Sequence, residues 1–139
     1  MTTDLALLID TQVLIWYVTD PKRLSRVAVE ALEEATEHDR PIGVLSYSLV
    51  EMIYAAEKAR NPFTNEDLRS ILDVLEDPES PFEIVSVDAA IAQHVANVPR
   101  DDNADPGDRL IVAAAEVLGV PLVSSDRKVP AMTDILVIW

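Results

Sequence analysis

Leu5-Ala6-Leu7-Leu8-Ile9-Asp10-Thr11 is an apolar run closed by a carboxylate. The run reads as a core strand, and the apolar stretch after Asp10, as far as Val18, reads as the helix it leads into. The same order recurs down the chain. Short apolar segments at 5–9, 42–45, 82–85, 120–124 and 135–138 alternate with longer stretches of helical period, the pattern of a parallel sheet with helices on its faces. The expected fold is α/β, with a central parallel sheet of about five strands flanked by helices.

The intervening helices can be placed. Residues 25–37 form one, with Val27, Ala31, Leu32 and Ala35 on a single stripe, and 46–60 form the next. Thr64-Asn65-Glu66-Asp67 resembles a capping box ahead of Leu68, Ile71, Leu72 and Leu75. Asp88 caps a further helix running through Val98. The last begins at Asp105-Pro106 and ends at Gly119, following the preference for Pro in the first turn and Gly just past the end. Breaks at Asn61-Pro62, 77–81 and 99–104 read as loops inside one domain covering residues 1–139.

The 25 acidic residues outnumber the 11 basic ones and give a formal charge of −14. That excludes a protein that grips nucleic acid chiefly by neutralising phosphates, and it favours a basic protein partner. A nucleic-acid role must work through a local site where metal ions supply the positive charge. There is no cysteine, so disulfides and thiolate metal sites are excluded. The N-terminal apolar stretch is broken by Asp10 and lacks the positive start and cleavage site of a signal peptide, and no apolar run approaches the roughly 20 residues of a membrane span. The expectation is a soluble cytoplasmic protein with no membrane association.

In open parallel sheets, ligands gather at the carboxyl ends of the strands. Asp10 and Asp126 lie at or just past such ends, and the helices carrying Glu51 and Asp108 begin on the same edge. Each acid also has a structural reading. Asp10 can cap the helix at Thr11; Asp105 suits an N-cap and Asp108 the third helical position; Asp126 suits a turn. Glu51 resists such a reading. It is the only formally charged residue from Pro41 to Ala56, in a helix apolar around much of its circumference, and is expected to be largely buried. Carboxylates gathered at about 4 Å repel by roughly 4 kcal/mol per pair at an effective dielectric of 20, so only cations make the cluster tolerable.

All-oxygen ligation suits Mg²⁺ or Mn²⁺. His38 and His94 form no ligand-spaced pair and are expected at the surface. Asp101-x-Asn103-x-Asp105 has the opening spacing of a calcium loop, but Pro106 and Val112 stand where that loop needs Gly and Glu.

Leu8-Ile9-Asp10-Thr11-Gln12-Val13-Leu14-Ile15-Trp16, the segment from Ser46 to Glu51, Asp105-Pro106-Gly107-Asp108-Arg109-Leu110-Ile111-Val112-Ala113-Ala114-Ala115 and Pro121-Leu122-Val123-Ser124-Ser125-Asp126 together resemble the PIN-domain ribonucleases, specifically the VapC toxins of toxin–antitoxin pairs. The resemblance runs through essentially the whole chain, in order, to the closing strand and Trp139. It implies a PIN-like three-layer sandwich and a Mg²⁺- or Mn²⁺-dependent endoribonuclease. Asp10, Glu51, Asp108 and Asp126 fall at the family's acidic metal site, with Asp105 matching a further acid. Ser124 stands where the family commonly has a hydroxyl, orienting a ligand or a water; Thr11 and Arg109 are supporting candidates, Arg109 as a phosphate contact, although a solvated helix arginine is the favoured reading of it.

Gln12 replaces a frequent His and Gly107 a frequent Phe, changes on the substrate side of the pocket that remove no carboxylate. An RNA substrate such as tRNA or rRNA, a cognate antitoxin that inserts a basic side chain among the carboxylates, and a homodimer are the implied partners. Leu49, Met52, Ile53 and Tyr54 serve either the dimer or the core. Tyr47 and Trp16 suit either base stacking or core packing. The alternatives are a non-catalytic partner-binding module and a phosphoacceptor receiver domain. The latter usually carries an acid pair after the first strand, where this chain has Thr11-Gln12.

Overall fold

A computed structural model of the chain describes residues 4–58, 62–100 and 105–139. Asn61, the expected end of the second helix at 59–60, and positions 101–104, with the Asp101 and Asn103 tested for calcium, lie outside the described residues.

Five strands form one wholly parallel sheet: β1 (Leu7–Ile9), β2 (Ile42–Leu45), β3 (Phe82–Val85), β4 (Leu122–Val123) and β5 (Val137–Ile138), in the order β3-β2-β1-β4-β5. The helices are α1 (Thr11–Thr19), α2 (Arg26–Glu37), α3 (Ser46–Glu57), α4 (Asn65–Glu76), α5 (Ala89–His94) and α6 (Pro106–Leu118). β2 and β3 have the expected bounds, whereas β1, β4 and β5 are shorter than the apolar runs suggested. At β4 the cause is Pro121, which has no N–H to donate, so the pairing starts with Leu122 N–H on the Leu136 carbonyl.

Strand alternation divides the core. Leu7, Ile9, Ile42, Val44 and Val123 face one layer with Val13, Leu14, Ala28, Leu32, Met52 and Ile71. Leu8, Leu45 and Leu122 face the other, packed against Ile91 and the α6 residues Ile111 to Ala115. This is the expected three-layer sandwich. The α2 stripe differs by one position: Ala28, Leu32 and Ala35 are buried, while Val27 is 53% exposed. Ala28 stacks one turn before Leu32, at the spacing of neighbours on one helix face.

Local signals hold the helix ends. Thr64 and Asp67 make both bonds of a capping box, Asp88 caps α5 through Ile91 N–H, and Gly119 ends α6 in the left-handed region at φ 68°. The helix expected from Asp88 to Val98 ends at His94 and continues as a 3₁₀ turn, Val95–Asn97.

The strand order decides where the site lies. From β1 the chain steps outward to β2 and β3, then returns to lay β4 and β5 on the other side of β1. That reversal opens a crevice at the carboxyl ends of β1 and β4, the place where open parallel sheets bind ligands. Asp10 follows β1 and Asp126 lies just beyond β4.

Candidate metal centre

One cavity of about 450 Å³ opens at this crevice and is lined by Asp10, Glu51, Asp108 and Asp126, with Thr11, Gln12, Tyr47, Ser48, Gly107 and Ser125. Four separate segments deliver the four acids. Among the described residues no Lys or Arg lines the cavity.

Each aspartate has both the structural role and the cavity position that the sequence left as alternatives. Asp10 is the N-cap of α1, its Oδ1 accepting from Val13 N–H at 2.9 Å. Asp108 completes a capping box at the start of α6, its Oδ2 accepting from Asp105 N–H at 3.1 Å. Asp126 accepts from Lys128 N–H at 2.9 Å through Oδ1. The backbone bonds fix the carboxylates in place. Asp105 is the exposed N-cap of α6, holding Gly107 N–H at 2.8 Å, and it lines an adjoining groove with Tyr47, Glu51 and Tyr54.

Glu51 is half-buried, not largely buried as its apolar helix suggested. The helix is less enclosed than its composition implies, because Val50, Ile53 and Tyr54 face outward. Thr11 holds the Glu51 side chain: its hydroxyl lies 2.5 Å from Glu51 Oε1 and 2.8 Å from Ser48 Oγ. Ser48 is buried and was missed from sequence, although it stands three residues before Glu51 on the same helix face. Ser124 is also buried, and its hydroxyl bonds to Asp10 while accepting from Asp126 N–H at 3.2 Å, so it joins the two strand-end acids.

Two expectations are corrected. Arg109 is neither a phosphate contact nor a solvated arginine: it turns away from the cavity and donates to the carbonyls of Val95 and Val98, both at 2.9 Å, fastening α6 to the turn after α5. His94 is not a free surface residue, since Nε2 pairs with Glu116 Oε1 at 2.8 Å. Packing of α5 against α6 draws these polar groups to partners, although Arg109 Nε stays buried without one.

The acids disturb one another's titration. Burial raises the Asp10 carboxyl above its usual range and Asp126 adds to it, against lowering by Ser124 and backbone bonds. Burial also raises Glu51, helped by the charges of Asp105, Asp108 and Asp10. Asp108 is pushed up to about 6, first by burial and then by Asp126. Among the described residues no three acids already stand in coordinating arrangement. The donor set nevertheless fits a hard divalent cation: carboxylate and hydroxyl oxygens, no base among the described lining residues, and mutual repulsion that a cation would relieve.

Gly107 sits at the centre of this geometry. A Cβ there would lie 2.7 Å from Glu51 Oε2 and 3.0 Å from the Tyr47 ring, so the glycine keeps the space between α3 and α6 open.

The PIN-domain family model matches residues 7–134. The chain belongs to the PIN-domain family. It is 31% identical over 128 residues to Ribonuclease VapC22 of Mycobacterium tuberculosis, covering 92% of this chain and 90% of that protein. Among solved structures, VapBC2 of Rickettsia felis bound to a promoter DNA fragment superimposes with a TM-score of 0.67 at 16% identity, covering 94% of this chain and 96% of that one. DNA-bound VapBC of Salmonella typhimurium gives 0.67 at 22% identity, with 96% of each chain covered. These two likenesses concern the PIN fold, and they agree with the five-stranded sheet and its flanking helices.

A raised carboxylate pKa means that the folded PIN domain binds this proton more tightly than the unfolded chain does. The destabilising charge is absent below the ordinary value of 3.8 and fully present above about 6. Metal-free protein should therefore lose the Asp108 contribution as pH rises from 4 to 7. Asp108→Asn, which can still accept the capping bond, should raise the metal-free Tm at pH 7 by roughly 3 °C, for about 1 kcal/mol after discounting its partial exposure. Thermal melts in EDTA at pH 5 and 7 check this; an equal or lower Tm for the variant at pH 7 contradicts it.

Proposed function

We propose that this protein is a Mg²⁺- or Mn²⁺-dependent endoribonuclease and the toxin of a toxin–antitoxin pair. The observation that carries the reading is the cavity at the sheet's switch point, walled by four carboxylates from four segments and, among the described residues, by no basic side chain. The 31% identity with a protein named as a ribonuclease adds to it.

Asp10 and Asp108 would hold the metal directly, with Glu51 and Asp126 as further ligands or holders of its waters and Asp105 contributing from the adjoining groove. When bound, the ion supplies a Lewis acid for the phosphodiester and lowers the pKa of a nearby water. The chain's own residues do the rest. Thr11 fixes the Glu51 carboxylate from α1, so a raised-pKa acid stands ready to take a proton from the attacking water. Ser124 orients Asp10. The water oxygen bonds to phosphorus as its proton passes to Glu51, the P–O3′ bond breaks, and the 3′ oxygen leaves with its electron pair and takes a proton from solvent water. Gln12, exposed at the mouth, and Gly107, in the wall, shape the side where RNA enters.

The same cavity suits inhibition by a cognate antitoxin, because a basic side chain placed among the carboxylates would relieve their repulsion as a cation does. Of the residues expected to serve either dimer or core, Met52 is buried and Leu49 packs on the core, whereas Ile53 and Tyr54 are 44% and 63% exposed beside Val50. We assign these exposed residues of α3 to a homodimer contact.

Purified protein free of antitoxin should cut a pool of tRNA and rRNA at discrete sites with Mg²⁺ or Mn²⁺. EDTA and Asp108→Asn should each lower the rate at least about a hundredfold, a loss typical of a core catalytic group. Wild-type cleavage by folded Asp108→Asn removes that residue from the essential site.

Gly107→Ala should keep its Tm within a few degrees, because Glu51 can swing aside, yet slow cleavage about tenfold or more. An unchanged rate would show that the position of Glu51 does not matter.

Tyr54→Lys should shift sedimentation equilibrium from dimer to monomer. A dimer of unchanged strength would place the contact elsewhere.

A further inference from the structure

The chain holds two tryptophans, Trp16 and Trp139, and they meet. Their rings lie 5.8 Å apart at 41°, and the Arg23 guanidinium sits over the Trp16 ring at 5.2 Å. They come from opposite parts of the sequence, one from α1 and one from the residue after β5. Trp139 is 39% exposed, Trp16 is partly exposed, and Arg23 is exposed in the 3₁₀ turn Pro21–Arg23, beside exposed Lys22. A pair present only to fill the core would be covered. This one keeps aromatic surface and cationic groups open on a chain of charge −14.

Neither indole lines the cavity, but chain neighbours of each do. Trp16 lies one helical turn beyond Gln12, on the same face of α1, and Gln12 lines the cavity mouth. Ser124 N–H bonds to the Ile138 carbonyl at 3.1 Å, and the β4–β5 register continues to Trp139 opposite Ser124, just before Ser125 and Asp126 of the cavity wall. Along α1 the indole of Trp16 follows the Asp10 cap by less than two helical turns.

We propose that Trp16, Trp139 and Arg23 form a stacking shelf for an unpaired RNA base next to the scissile phosphate, with Arg23 and Lys22 drawing the flanking backbone. The inference rests on the ribonuclease reading and adds how a strongly acidic chain holds its substrate. The carboxylate cavity repels phosphate until a cation is present, so the grip on RNA must come from elsewhere. An exposed aromatic pair with a guanidinium is the chemistry that binds single-stranded nucleic acid without reading its sequence. Specificity for unpaired RNA follows, because a base must leave its helix to reach the shelf.

Because the two tryptophans are the shelf, indole fluorescence reports on it alone. A mixed-sequence single-stranded RNA 12-mer titrated with Mg²⁺ into Asp108→Asn should quench the emission saturably. Trp139→Ala in that background should weaken RNA binding about tenfold by filter retention, and Trp139→Phe should restore most of it. In the cleaving protein, Trp139→Ala should raise KM about tenfold with kcat within about twofold.

Absence of quenching, or RNA binding unchanged by Trp139→Ala, overturns the shelf. Quenching by a basic antitoxin peptide but not by RNA also overturns it, and reassigns the surface to the partner. The two readings fail separately. Metal-dependent cleavage with an unaltered KM removes the shelf and leaves the nuclease, whereas Trp139-dependent RNA binding in a chain that cuts nothing keeps the shelf and removes the nuclease.

Discussion

Electrostatic repulsion among carboxylates is the constraint around which this molecule is arranged. Asp10, Glu51, Asp108 and Asp126 share one cavity, and among the described residues no lysine or arginine lines it, although Lys128 lowers the Asp108 carboxyl by less than Asp126 raises it. A fold that only had to be stable would spread these charges over its surface, where water screens them. Here the sheet reverses direction at β1 and β4, and the reversal carries two strand ends and the adjoining helices to one point. The apolar layers on both faces of the sheet provide the stability against which such a cluster can be held.

The carboxylates are restrained by short local bonds in addition to the fold. Asp10 and Asp108 each serve a helix start, and Ser124 connects the two strand-end acids. Thr11 spans α1 and α3 to reach Glu51 and Ser48. Preorganisation of this kind lowers the cost of assembling ligands when a cation arrives. Burial first, and the neighbouring charges second, raise the Asp10, Glu51 and Asp108 carboxyls, so without a cation the site stores unfavourable energy. Both a metal ion and a basic partner side chain relieve the same repulsion, so one physical feature underlies the proposed activity and its proposed inhibition.

Helix caps, strand segments and their order were readable in the chain because their signals are local. Thr64 with Asp67, Asp88, Asp105 with Pro106, and Gly119 all act where the sequence places them, since a cap needs only its neighbours three residues away. Strand ends were less legible, because the length of β4 depends on whether its neighbours can pair with it, and Pro121 cannot donate. Val27 illustrates the same limit in a helix: a stripe drawn from apolar composition chose the wrong side of one turn, and contact with the sheet settled which alanine faces inward.

The sequence by itself determined the α/β alternation, the acidic residues and the absence of thiolate chemistry, because period, capping and composition are properties of the chain alone. The tertiary structure decided which polar groups meet. Ser48 with Thr11, Arg109 with the carbonyls after α5, His94 with Glu116, and Trp16 with Trp139 join residues between 11 and 123 positions apart, and no local pattern encodes such pairs. They exist because the tertiary fold packs distant segments against one another, where burial favours a partner for most polar groups, Arg109 Nε being left without one.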